Sequence, residues 1–105
     1  GDRQIVPADW MRAIRSPGLI QPNYGYLTWL GNEWEEHRYY NRKTTTNVHH
    51  SSPFLAPDVA FFDGMGGQRV YMIPSADMVI VRTGPITMNW DDAKLPNLLL
   101  AGIAE

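Results

Sequence analysis

The chain has 105 residues, 44% of them hydrophobic and 19% charged, which fits one globular domain and not a disordered segment. Its formal net charge of −2 leaves no electrostatic case for nucleic acid or an anionic membrane surface as partner. The absence of cysteine removes disulfides, thiolate zinc sites and a cysteine nucleophile together, and no apolar run reaches the roughly 18 residues of a membrane span.

Residues 1–20 carry no apolar core of the kind a secretory leader needs. Gly1 stands where an initial Met would, so the chain is expected to be a piece of something longer. Pro7 suits a first helical turn. Trp10, Met11 and Ile14 then alternate with Asp9, Arg12 and Arg15, predicting a short amphipathic helix ended by Ser16-Pro17-Gly18, with one face on a sheet. From Tyr24 to Trp34 aromatic and branched residues recur at period two, predicting a rather central strand covered on both faces. Trp10 and Trp29 are expected in the core.

Residues 35–58 hold no period and contain Thr44-Thr45-Thr46-Asn47, His49-His50 and Pro53 and Pro57. They are expected to form a long surface loop bordering a site. Next comes the glycine-rich turn Asp63-Gly64-Met65-Gly66-Gly67, then strands Gln68–Ile73 and Met78–Thr83 joined by Pro74-Ser75-Ala76-Asp77, a hairpin signal. Three glycines in four positions mark a place where backbone lies close to a neighbouring strand or to a ligand. Gly84-Pro85 breaks the chain. Asn89 is a candidate cap, and Pro96 is expected to open a main helix with Leu95, Leu98, Leu99 and Ile103 on one face. The expected fold class is α+β: a single domain with a three-stranded antiparallel sheet and an N-terminal and a C-terminal helix packed on it.

Four segments resemble the C-terminal part of serine hydrolases with the β-lactamase fold, a superfamily of class C β-lactamases, penicillin-binding proteins, esterases and 6-aminohexanoate-dimer hydrolases. They are Gln4-Ile5-Val6-Pro7-Ala8-Asp9-Trp10, Tyr24-Gly25-Tyr26-Leu27-Thr28-Trp29, Gly64-Met65-Gly66-Gly67-Gln68, and Val70-Tyr71-Met72-Ile73-Pro74 continuing through Met78-Val79-Ile80-Val81-Arg82. The resemblance implies a bacterial parent, periplasmic or cytoplasmic, that hydrolyses an ester or amide through an acyl-serine and needs no cofactor or metal. Its third motif, commonly Lys-Thr-Gly or His-x-Gly, would fall on Phe62-Asp63-Gly64. Met65 would supply a backbone oxyanion N–H, with Phe62, Asp63, Gly64 and Gly66 lining the substrate.

The chain departs from that pattern in two places. No Ser-x-x-Lys occurs: Ser16, Ser51, Ser52 and Ser75 are followed at the third position by Leu19, Phe54, Leu55 and Met78. Phe62 replaces the cation usual in the family, which leans away from a penicillin carboxylate and toward an ester or amide. Tyr39-Tyr40-Asn41 has the form of the family's Tyr-x-Asn motif, but only 20 residues separate Asn41 from Phe62, too few for the family's arrangement. The chain alone is therefore expected to be catalytically inert.

Two other readings stand beside it. One is a non-catalytic interaction module, homodimeric through an exposed strand edge. The other is a sugar platform on Trp34 and Trp90. His37, His49 and His50 are expected on a solvated loop and not as metal ligands, and Glu33, Glu35 and Glu36 as a charged strand end and not as a glycosidase pair. Arg82 is expected to pair with an acid such as Asp77 or Glu33.

Overall fold

The computed structural model describes residues 3–31, 37–41, 44–50 and 52–104, with 37–41 and 44–49 described through their backbone. The elements are helix α1 (Ala8–Ile14), strands β1 (Trp29–Leu30), β2 (His37–Asn41), β3 (Thr44–His49), β4 (Ala60–Gly64), β5 (Gln68–Ile73) and β6 (Met78–Arg82), and helix α2 (Lys94–Ile103). The fold is α+β, with a four-stranded antiparallel sheet in the order β1-β4-β5-β6 and a separate β2-β3 hairpin.

The main sheet thus has four strands where the sequence suggested three. The missed strand is β4. Its residues, Ala60-Phe61-Phe62-Asp63-Gly64, show no clean alternation and run straight into the glycine turn. Pairing decides their state: Phe61 faces Tyr71, Asp63 faces Arg69 and Gly64 faces Gln68. Within the stretch expected to be an irregular loop, β2 and β3 pair antiparallel, His37 opposite His49.

The expected 24–34 strand shrinks to two residues at the sheet edge. The Gly25 N–H donates to the Thr28 carbonyl at 2.8 Å, and Tyr24 bridges Trp29, so the chain doubles back within six residues. Leu27 at φ 54° completes that reversal. A Cβ on Gly25 would sit 2.2 Å from the Ile14 carbonyl oxygen, so glycine lets this turn lie against the end of α1.

One row of side chains crosses all four strands on one face: Trp29, Phe61, Tyr71 and Ile80, all buried. Ile73 and Val59 extend this core, and Leu95 and Leu100 of α2 pack on it. The opposite face carries Phe62, Val70 and Val81 in the next row, with Phe62 and Val81 exposed. Adjacent strand residues point to opposite faces, so burying Phe61 commits Phe62 to the outside.

Both helices form close to where they were expected; α2 packs on the sheet as expected, and α1 does not. No residue of α1 is buried. Trp10, assigned to the core from sequence, is 55% exposed and stacks on Tyr26 with ring centroids 5.8 Å apart. A helix of seven residues with none of them buried has too little apolar surface to dock on the sheet. Helix α2 begins at Lys94 and places Pro96 in its first turn, where a missing N–H is tolerated. Its buried side is Leu95, Pro96 and Leu100, whereas Leu98 and Ile103 are exposed. Of the expected stripe Leu95 packs on the core while Leu98, Leu99 and Ile103 are exposed, because apolar residues surround this helix and periodicity alone does not say which face meets the core. No helix forms over residues 89–92, so Asn89 does not act as the cap expected there; the residue before the first turn of α2 is Ala93, whose N–H donates to Asp91 Oδ1 at 3.1 Å.

Candidate functional site

The glycine turn joins β4 to β5 and sits at one end of the main sheet. Met65–Gly67 form one 3₁₀ turn with Gly66 at φ 76° and Gly67 at φ 84°, both left-handed conformations that favour glycine. Its crowding explains the glycines as well. A Cβ on Gly67 would meet Thr87 Cγ2 at 2.8 Å, and one on Gly66 would meet Ile86 at 3.1 Å. The 84–87 segment therefore lies directly on the turn, and Thr87 N–H donates to the Gly66 carbonyl at 3.0 Å. Close backbone approach, one of the two roles open from sequence, is realised here.

Side chains hold the turn from both directions. Gln68 spans to the same segment: its Nε2 donates to the Gly84 carbonyl at 2.9 Å, and the Gly84 N–H donates to its Oε1 at 3.0 Å. Arg82 donates to the carbonyls of Gly67 at 3.0 Å and Pro85 at 3.3 Å, and its guanidinium carbon lies 4.6 Å from the Trp90 ring centroid. These partners are backbone carbonyls and an aromatic face, and not the acid Asp77 that the sequence suggested. The Trp90 Nε1–H donates to the Tyr71 hydroxyl at 2.8 Å, which ties the half-buried Trp90 to the core. Trp34, Glu33, Glu35 and Glu36 lie outside the described residues.

Arg69 is the central group beneath the turn. It occupies an inward position of β5 in line with Tyr71 and Ile73 and is 6% exposed. Its Nε donates to Asp92 Oδ1 at 2.6 Å, and its Nη1 lies 2.5 Å from Asp63 Oδ1. The same Nη1 donates to the carbonyls of Gly64 at 3.1 Å and Gln68 at 2.9 Å. Burial acts to lower the pKa of this guanidinium, but Asp92 and Asp63 overcome it and hold the pKa above its ordinary value. Arg69 thus stays charged. Arg69 and Arg82 face each other across β5 and β6, a like-charge pair that would repel. The two carboxylates on Arg69 and the ring beside Arg82 absorb that repulsion.

The residues singled out from sequence are adjacent in space but do not all face one way. Met65 is 91% exposed at the start of the turn. Phe62 is 45% exposed on the outer face of the sheet. With Gly64, Gln68, Val70, Val81 and Thr83 it lines a shallow hollow. Asp63 points the other way, into its ion pair with Arg69. Gly66 is buried under Ile86. The sequence reading missed Arg69 and Asp92 altogether. A signal was present: an arginine in line with Tyr71 and Ile73 along a strand lies on the core face, and a buried arginine requires a carboxylate.

His50, expected on a solvated loop, is fully buried, and its ring centroid is 5.7 Å from that of Phe54. Burial follows from the chain entering the core here, where the Phe54 ring in turn lies tilted against Phe61, centroids 6.0 Å apart. Among the described residues no group of three or more His, Cys, Asp or Glu is placed to hold a metal ion, and no helix is long and apolar enough to cross a membrane. Tyr39-Tyr40-Asn41 lies on β2, across a register shift. Comparison with protein-family models finds none that matches, and comparisons with curated proteins and with solved structures find no match either.

Proposed function

We propose that this chain is the C-terminal, site-lining segment of a β-lactamase-related serine hydrolase and that its sheet is a fragment of the β-lactamase/transpeptidase-like fold. In that reading the full-length parent hydrolyses an ester or amide through an acyl-serine. The strand ending Phe62-Asp63-Gly64 forms one wall of the site, and the Met65 N–H is one of two oxyanion donors. Phe62, Gly64 and Gly66 shape the wall, and Asp63 serves it from beneath through Arg69.

The observation that carries this reading is the rigid, exposed turn. Gln68, Arg69, Arg82 and Thr87 hold its backbone, while Met65 stands free of cover at its start. An oxyanion donor must be preorganised and accessible, and the held backbone and the exposure of Met65 support that reading. Nucleophilic catalysis also needs a positioned serine and base, and no Ser-x-x-Lys is present in these 105 residues. The chain alone should show neither burst nor turnover with a p-nitrophenyl ester or a chromogenic cephalosporin; serine-dependent turnover by it would overturn the proposal. A parent polypeptide carrying Ser-x-x-Lys upstream of this segment should hydrolyse such an ester. Met65→Pro, which deletes the N–H, should then lower kcat by about 10²–10³-fold.

One observation favours a second reading, a module that pairs with a copy of itself. β6 ends the main sheet, and Val79 and Val81 on it are exposed. A clean monomer by light scattering across the micromolar range would dismiss it.

A further inference from the structure

We propose that Arg69 is the positioning residue for the Met65 N–H: its buried guanidinium holds the Gly64 carbonyl oxygen and, through the rigid Gly64–Met65 peptide, sets the direction of that N–H. The inference rests on the function proposed above, which gives the Met65 N–H its role.

The geometry is that of one planar group. The Gly64 carbonyl and the Met65 N–H belong to the same trans peptide and point in opposite directions. Arg69 Nη1 takes the carbonyl from the buried side at 3.1 Å. The N–H is thereby directed away from the buried layer, on the side where Met65 is exposed. A flipped peptide would lose the bond to Arg69 and turn a carbonyl oxygen outward, which repels an oxyanion.

Preventing such a flip calls for a restraint from outside the turn. Gly64 has no side chain, so rotation about its ψ is cheap, and Gly66 and Gly67 add further freedom to the turn. Arg69 is suited to supply the restraint because it cannot turn. Asp92 holds Nε at 2.6 Å, Asp63 flanks Nη1, and the guanidinium is planar. The same Nη1 also reaches the Gln68 carbonyl at 2.9 Å, so one nitrogen bridges the two residues that flank the turn. A buried ion pair is a weak device for stability compared with apolar residues of similar volume. Its fork geometry is what an apolar residue lacks.

The test uses the labelled chain and then the parent enzyme. In Arg69→Lys the charge facing the two carboxylates remains, but the planar fork that fixes Nη1 at the carbonyls by anchoring Nε on Asp92 is lost. The Gly64 carbonyl carbon and the Met65 amide should change chemical shift, and the Met65 amide should broaden or double, while core signals of Tyr71 and Ile80 stay in place. Asp92→Asn, which loosens the guanidinium without removing it, should move the same two signals by less. Unmoved Gly64 and Met65 signals in a folded Arg69→Lys chain overturn the proposal. Loss of the fold in both variants does so too, since Arg69 would then be a structural residue only.

In the parent enzyme, with active sites counted by burst titration, Arg69→Lys should lower kcat per site by about 10²-fold and leave KM within twofold. A residue needed only for folding would lower the number of sites and not the rate of each. Unchanged kcat overturns the positioning role and leaves the hydrolase reading intact. Shifted Gly64 and Met65 signals in a parent that hydrolyses no ester or amide would instead sink the hydrolase reading.

Discussion

Gly67→Ala tests whether the turn is held by contact with the 84–87 segment. The substitution has two separable penalties. The first is conformational: φ of 84° places an L-residue in the left-handed region, at roughly 1 kcal/mol. The second is steric: the new methyl would lie 2.8 Å from Thr87 Cγ2 and 3.2 Å from the Thr87 carbonyl oxygen. Overpacking of this kind costs about 1–3 kcal/mol, giving a total of about 2–4 kcal/mol. Urea unfolding followed by tryptophan fluorescence should show the midpoint falling by about 2 M, taking a slope of roughly 1–1.5 kcal/mol per M. Gly66→Ala is the internal comparison. It has the same sign of φ, but its methyl would lie 3.1 Å from the nearest atoms of Ile86, a milder approach than the 2.8 Å at Gly67. Its penalty should be about 1–2 kcal/mol. Thr87→Ser removes the colliding Cγ2 and keeps the hydroxyl that accepts from the Asn89 N–H. In the Gly67→Ala background it should restore about 1 kcal/mol. Equal losses for the two glycines, or no rescue by Thr87→Ser, would refute the contact argument.

Two further outcomes are expected. Asp58 accepts from the Ser75 N–H at 2.7 Å and from its hydroxyl at 2.6 Å. Burial acts to raise the pKa of this carboxyl, but the Ser75 bonds and the nearby Arg15 win and hold it below its ordinary value of 3.8. A depressed folded pKa gives stability that is present above the unfolded value and lost as pH falls through the folded one. Asp58→Asn should therefore destabilise at pH 7, with the deficit shrinking once pH drops below about 3.8, read from denaturation midpoints across the acid range. Asn97 ties α2 to the 52–55 segment, accepting from the Leu55 N–H and donating to the Pro53 carbonyl, both at 2.9 Å. Asn97→Ala should cost about 1–3 kcal/mol, with amide exchange quickening first at Leu55.

Local pattern alone was enough for the β5-β6 hairpin. Strict alternation puts Arg69, Tyr71 and Ile73 on one face, and Pro74-Ser75-Ala76-Asp77 supplies a turn whose last residue adopts φ 48°. Both strands begin where the sequence placed them, and the second ends one residue earlier, at Arg82. Near-neighbour sterics and period-two burial act over these few residues, so no distant partner was needed. The same holds for α1, bounded by Pro7 and Ser16-Pro17-Gly18. In the candidate site, the glycine turn was legible because left-handed backbone at Gly66 and Gly67 leaves glycine in the sequence.

Tertiary structure decided the rest. Ala60–Gly64 becomes a strand because β5 offers it a ladder, and an apolar run of four carries no period of its own. The face of α2 that is buried depends on where the sheet lies, so Leu95 and Leu100 turn inward while Leu98 does not. Trp10 is left outside because its helix finds no sheet to cover. Arg69 meets Asp63 and Asp92 from six residues upstream and 23 downstream, a convergence that no local window contains. The residues that form the turn could be read from the chain, but those that hold it still are selected by long-range burial of charge, which only the folded structure specifies.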